Sequence, residues 1–286
     1  MVGLALLAIA LSPIRPAFGA CPGKNGEVVF VKSHRLWVIQ PDGSGLHRLA
    51  ATPAAEEADP AWSPDGKRLA FDVGLDVYVA NADGSNPVDI TTRPLGSGGC
   101  DSDPTWSPDG AWIAVSAVVD NCTGAANEID AMTPTGSDRH VIEQDYEGLL
   151  GGDTEPAWGP GGSRIAITRS DSLRMASGPY VHDLYLLNAK TGKVSLRLTR
   201  DGHSTSASFS PDGQQIVFVD KNTVTVRTAA GTLIRLAPGS RPAWSPDGKQ
   251  IVYVAQGGLH VMSPNCSKNH LLLKCSCASP NWQPLH

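Results

Sequence analysis

Asp59, Asp103, Glu155, Ser206, Arg241 and Ser279 occupy one recurring position in this sequence, three places ahead of an aromatic residue, and five of the six precede a proline. Three of them are carboxylates, and Glu57, Asp101 and Asp153 stand two residues earlier in the same three copies. Carboxylates brought to one place repel one another and gain by sharing a positive ligand. Oxygen donors alone would favour calcium or magnesium over zinc, with Asp59, Asp103 and Glu155 as ligands. The basic group of a protein or peptide would answer the same charge. Arg241 works against either by neutralising part of it, and with no ligand the set would form a solvated rim.

Other chemistries find less support. A serine hydrolase of the elbow type needs Gly-x-Ser-x-Gly with its acid and base following. The nearest stretch, Gly202-His203-Ser204-Thr205-Ser206, lacks the closing glycine. The eight histidines include no pair at metal-ligand spacing. Asp83-Gly84 lacks the bidentate acid that an EF-hand places about six residues after its glycine, so Asn81 to Ser85 reads as a turn. A formal net charge of −5 offers no broad positive field for a nucleic-acid backbone.

The elements that must position these residues come from a repeated phrase. Pro60-Ala61-Trp62-Ser63-Pro64-Asp65-Gly66-Lys67 recurs as Pro104-Thr105-Trp106-Ser107-Pro108-Asp109-Gly110 and as Pro242-Ala243-Trp244-Ser245-Pro246-Asp247-Gly248-Lys249. Ser208 to Gly213 swaps the aromatic for Phe209, and Pro156 to Gly162 is a worn copy. Proline sets φ at the first corner, aspartate can bond the turn backbone, and glycine takes the left-handed position, so the phrase is a hairpin corner. An apolar run, an alternating strand such as Asp76 to Val79, a second turn and a short strand such as Val88 to Thr91 follow. Each unit is thus four antiparallel strands, with the residue before Pro-x-Trp on the innermost strand, facing a central channel.

Spacings of 44, 52, 51, 35 and 38 residues between successive aromatics match the period of a propeller blade. The sixth aromatic, Trp282, opens a repeat that stops at His286, while Pro22 to Ile39 is a repeat without its opening strand. The C-terminal strand is therefore expected to complete the N-terminal blade, giving an all-β, six-bladed propeller closed without an exposed edge. The long loops, Ala117 to Asn127, Gln144 to Asp153 and Arg169 to His182, connect strands on the face where the innermost strand begins, a usual place for binding.

These repeats, with Trp282-Gln283-Pro284 at the end, resemble those of the TolB-like β-propellers of bacterial periplasmic and secreted proteins. The resemblance covers roughly Cys21 to His286. It implies fold more than activity, because the same repeat serves in the Tol–Pal translocation protein, in peptidase propeller domains and in sugar-acid lyases. The chain shows no counterpart to the separate α/β domain that precedes the propeller of the Tol–Pal protein. The expectation is a non-catalytic binding or scaffold propeller that engages a protein or peptide partner through its channel mouth and long-loop face. The alternative is a metal-dependent polysaccharide lyase, since lyases of this kind use inward-pointing histidines and His182 and His203 fall near the same end of neighbouring blades.

Residues 1–20 read as a signal peptide: an apolar run from Val2 to Leu11 is followed by small residues before Cys21. About ten apolar residues are too few for a membrane span. The remaining 21–286 is expected to be one monomeric domain, periplasmic, cell-surface or secreted. Phe18-Gly19-Ala20-Cys21 loosely resembles a lipobox, which would place a lipid anchor at Cys21. Six cysteines in an exported chain favour disulfides. Cys100 and Cys122, in loops of one blade, are the expected pair. Among Cys21, Cys266, Cys275 and Cys277 the pairing is open, with Cys21 and Cys266 favoured because they should share the opposite face.

Overall fold

In the computed structural model, residues 23–49, 56–91, 100–118, 126–142, 151–171 and 181–285 are described. The expected signal peptide, Cys21 and most of the three long loops lie outside them. The described chain is all strand and turn. In order, the strands are β1 (Lys24–Lys32), β2 (Arg35–Ile39), β3 (His47–Arg48), β4 (Glu57–Trp62), β5 (Arg68–Val73), β6 (Asp76–Asn81), β7 (Val88–Asp89), β8 (Cys100–Trp106), β9 (Ile113–Val118), β10 (Ala126–Met132), β11 (His140–Val141) and β12 (Gly151–Trp158). There follow β13 (Arg164–Asp171), β14 (Val181–Asn188), β15 (Val194–Arg197), β16 (Ser204–Phe209), β17 (Gln215–Asp220), β18 (Thr223–Thr228), β19 (Leu233–Pro238), β20 (Ser240–Trp244), β21 (Ile251–Ala255), β22 (Gly258–Met262), β23 (His270–Lys274) and β24 (Cys277–Leu285).

Strands β4 to β7, β16 to β19 and β20 to β23 form three antiparallel meanders of four strands. Two more meanders, β8 to β11 and β12 to β15, are joined into one sheet by a short parallel contact of Ala126 and Asn127 with Gly151 and Gly152. The remaining sheet has the order β24-β1-β2-β3, so the C-terminal strand completes the sheet begun at the N-terminus. Strand β1 starts at Lys24 and pairs with β24 through Lys24–Leu285 and Asn25–Pro284. Here β1 and β24, far apart in sequence, lie side by side where other sheets have a connected hairpin.

The repeated phrase folds as its chemistry requires. The Ser63 hydroxyl donates to Asp65 at 2.6 Å, the Lys67 N–H donates to the same carboxylate, and the Arg68 N–H donates to the Ser63 hydroxyl. The same bonds recur at Ser107 and Asp109, Ser210 and Asp212, and Ser245 and Asp247. The Ser107 hydroxyl, with the Ala111 N–H, holds the Asp109 carboxyl below its usual range. In the worn copy the glycines keep the backbone bonds, Gly159 N–H to Arg164 and Gly162 N–H to Gly159.

Apolar contact runs from sheet to sheet. The second strand of each meander carries a run of buried residues, as in Leu69 to Val73. Val29, Leu36 and Val38 pack on Trp62, Leu69 and Phe71, and each consecutive pair of meanders shares such a cluster. The last meander packs on the first: Ala243, Val252, Leu259 and Val261 meet Val28, Phe30, Ile39 and Trp282. Side chains of the inner strands add polar links, the Asn281 carboxamide accepting from the Trp62 N–H and the Thr105 and Ser208 hydroxyls accepting from the N–H groups of Trp158 and Trp244. A chain lacking residues 279–286 uncovers Val28 and Val29 and the edge of β1. It should aggregate or melt at least about 10 °C below the full chain in a calorimetric scan; an unchanged melting temperature would contradict the pairing of β24 with β1.

Candidate functional site

Each innermost strand carries the same defect at the same place. On β4 the pairing with β5 skips from Ala58 to Ala61, leaving Asp59 and Pro60 unpaired. Equivalent skips fall at Asp103-Pro104, Glu155-Pro156, Ser206-Ala207, Arg241-Pro242 and Ser279-Pro280. The first residue of each bulge is left-handed, with φ of 40°, 53°, 52°, 55°, 49° and 47° from Asp59 to Ser279. Proline suits the next position because it has no N–H to leave unpaired. A left-handed conformation is uncommon for residues such as Glu155 and Arg241 and costs on the order of 1 kcal/mol or more at each. The bulges bring all six residues around one cavity of about 230 Å³.

Within it, one guanidinium faces three carboxylates. Arg241 Nη1 lies 3.1 Å from Asp59, 3.6 Å from Asp103 and 3.5 Å from Glu155. The Ser279 hydroxyl donates to Asp59 at 2.5 Å, and the Ser206 hydroxyl and N–H donate to Glu155 at 3.0 and 2.7 Å. The second strands contribute residues that the sequence reading did not single out. The Asp103 N–H donates to Asp72 and the Glu155 N–H to the Ser116 hydroxyl, while Thr168 donates to Glu155. The sequence does carry a clue, since Asp72 is a charge within the otherwise apolar stretch Leu69 to Val73. Burial, then the charges of Asp59 and Asp103, push the Asp72 carboxyl well above its ordinary range. Burial, then Asp59 and Glu155, raise Asp103 to about 6 against the opposing pull of Arg241.

The acids two residues before the bulges do not join this set. Glu57, Asp101 and Asp153 are buried, and each is tied up elsewhere. Glu57 accepts from the Leu36 N–H at 2.8 Å, Asp101 takes both terminal nitrogens of Arg139, and Asp153 takes two nitrogens of Arg169. They tie neighbouring segments together and do not line the mouth. Arg241 Nη1 already lies among Asp59, Asp103 and Glu155, so a calcium or magnesium ion held by these three would have to displace it. Among the described residues no three His, Cys, Asp or Glu could hold a metal. His182 and His203, expected near one end of neighbouring units, are adjacent through an isolated parallel bridge.

The cysteines arrange themselves differently from the favoured scheme. Cys275 and Cys277 form a disulfide and Cys266 is free and exposed, so Cys266 is not the partner expected for Cys21. Cys100 is disulfide-bonded, and Cys122, its expected partner, lies outside the described residues. No helix among the described residues is long and apolar enough to cross a membrane. The aromatics that marked the repeats have a second role: Trp62, Trp106, Trp158, Phe209, Trp244 and Trp282 line a separate cavity of about 500 Å³ beside the Ser-Pro-Asp-Gly corners.

Solved structures share this architecture. TolB from Acinetobacter baumannii aligns with a TM-score of 0.68 at 20% identity, over 91% of this chain and 67% of that one. A chain of a nidogen/laminin complex aligns at 0.68 with 14% identity, over 90% of this chain and 98% of its own. The fold is that of a β-propeller. Likeness at this identity speaks for fold alone, and the range of neighbours reflects it, since an oligogalacturonate lyase in complex with manganese aligns at 0.56 with 16% identity over 82% of this chain and 72% of its own. No protein-family model matches the sequence, and neither does any curated protein.

The raised Asp103 carboxyl fixes a pH dependence. Its folded value of about 6 exceeds the ordinary 3.8, so the folded propeller binds this proton more tightly than the unfolded chain. The stability this contributes is full below the unfolded value and is lost as pH rises through about 6. Asp103→Asn removes the ionisation. Between pH 5 and pH 7.5 the melting temperature of the variant relative to the parent should rise by roughly 2–5 °C; a constant or falling difference in scanning fluorimetry would contradict the assigned shift.

Proposed function

We propose that the protein is an exported, non-catalytic six-bladed β-propeller, closed by β24, that binds a protein or peptide partner by taking a basic group into the mouth at Asp59, Asp103 and Glu155. The four-stranded meanders, and the apolar cluster joining the last to the first, support six blades in a ring. The Cys275–Cys277 disulfide accords with an oxidising compartment.

One observation carries the binding reading: three carboxylates share a single guanidinium at an open cavity. Asp59 and Arg241 remain partly exposed, their side chains 22% and 40% accessible, so the surplus negative charge is within reach of an incoming cation. A lysine or arginine side chain can approach with its aliphatic stem along the ring of prolines that lines the cavity, Pro60, Pro104, Pro156, Pro242 and Pro280. The cavity is too small for a folded domain, so a partner would insert one side chain or a chain end.

Calorimetric titration with an oligolysine peptide at about 50 mM salt tests this, because screening is weak there. The parent should release or absorb measurable heat, and Asp59→Asn with Asp103→Asn should weaken binding at least about tenfold, equivalent to about 1.4 kcal/mol. Equal affinities in parent and variant would refute the mouth as the site.

A further inference from the structure

The Cys275–Cys277 disulfide lies outside the lining of the mouth. It closes a loop of two residues' separation, Cys275-Ser276-Cys277, between the last strand of one meander and the strand that completes another. In the chain-entropy account, stabilisation by a cross-link grows with the logarithm of the loop it closes. A loop this short gives close to the least stabilisation available, so stapling does not explain it.

The backbone around the disulfide is held by other means. The Cys275 N–H donates to the Gly257 carbonyl at 3.1 Å, Lys274 pairs with Gly258, and Cys277 pairs with Lys32 of β1. Gly258 sits so close that a Cβ there would lie 1.9 Å from the Leu273 carbonyl oxygen and 2.8 Å from the Cys275 nitrogen. The segment is therefore moulded to the turn beneath it with or without the sulfur–sulfur bond. Both cysteines are half-buried, packed against the apolar cluster between the last and first meanders, and Ser276 between them is exposed, so an attacking thiolate would approach from the Ser276 side. Lys274 precedes the pair, and Lys32 pairs with Cys277 while its ammonium lies over the Trp37 ring, 4.7 Å from the centroid; positive charge in the neighbourhood favours the thiolate that leaves in exchange.

From this placement we infer that Cys275–Cys277 is a thiol–disulfide exchange site, taking small thiols or the cysteine thiols of other proteins while the propeller stays folded. An incoming thiolate attacks one sulfur, forms a mixed disulfide and releases the other cysteine as a thiolate. A second thiolate then attacks the mixed disulfide, leaving Cys275 and Cys277 as a dithiol and the two incoming thiols joined as a disulfide. The reverse sequence passes oxidising equivalents back. Cys277 is two residues from Ser279, whose hydroxyl holds Asp59, so the exchange occurs at the border of the mouth.

The test uses the full chain carrying Cys266→Ser, which removes the free exposed thiol. Native protein is equilibrated with mixtures of reduced and oxidised glutathione, quenched in acid, alkylated and mapped by mass spectrometry. Cys275 and Cys277 should become labelled together in native protein, with a melting temperature within about 3 °C of the oxidised form. With Cys277→Ser or Cys275→Ser added, a glutathione adduct should accumulate on the remaining cysteine. Labelling only after a denaturant is added, a fall of more than about 10 °C on reduction, or no adduct on either single variant would each overturn the inference.

Discussion

The arrangement rests on a two-residue bulge in every innermost strand. Without it, the alternation of a regular strand would send successive side chains to opposite faces and no residue would be singled out. With it, one residue per strand is forced into a left-handed turn and delivered to a shared cavity, while the proline behind it accepts the loss of a ladder bond. The bulge also divides acidic residues two positions apart into separate layers. Glu57, Asp101 and Asp153 remain in register, are buried, and are bound within and between sheets. Asp59, Asp103 and Glu155 leave the register and share Arg241.

The repeats are uniform where the fold dictates and varied where it does not. Four corners repeat the same serine and aspartate bonds with the same partners. The bulge position, by contrast, runs through Asp, Asp, Glu, Ser, Arg and Ser. The second-strand residue beside each bulge varies in step: Asp72, Ser116 and Thr168 on one side, Val219, Val254 and Val31 on the other. Polar support therefore lies beneath the acidic half of the mouth and apolar support beneath the rest. Such asymmetry is not needed to build a propeller, and it gives the mouth a direction.

Much of the fold could be read in the sequence because its turn chemistry is local. Ser63 to Gly66 forms its corner from contacts within six residues, so the repeat announces itself wherever it recurs. The pairing of β24 with β1 was legible for a different reason: a strand was missing at one end and present at the other. The six bulge residues were legible as equivalents, but their partners were not. Nothing in a linear reading distinguishes Glu57 from Asp59, since the distinction depends on a register shift between them. Arg241 was recognised as a counter-charge, yet that it reaches three carboxylates at once depends on distances set by three separate sheets. The Cys275–Cys277 pairing is not legible because connectivity among several cysteines depends on how the fold places them, which spacing alone does not give.

If the mouth accepts a basic group, Arg241 is its internal competitor, and removing it is the most direct measurement. Arg241→Ala leaves Asp59, Asp103 and Glu155 without their shared cation. Calorimetry of this variant with oligolysine should show affinity at least about tenfold above the parent, equivalent to about 1.4 kcal/mol, with a melt on the same sample confirming that it is folded. A folded variant that binds no more tightly than the parent would contradict the account.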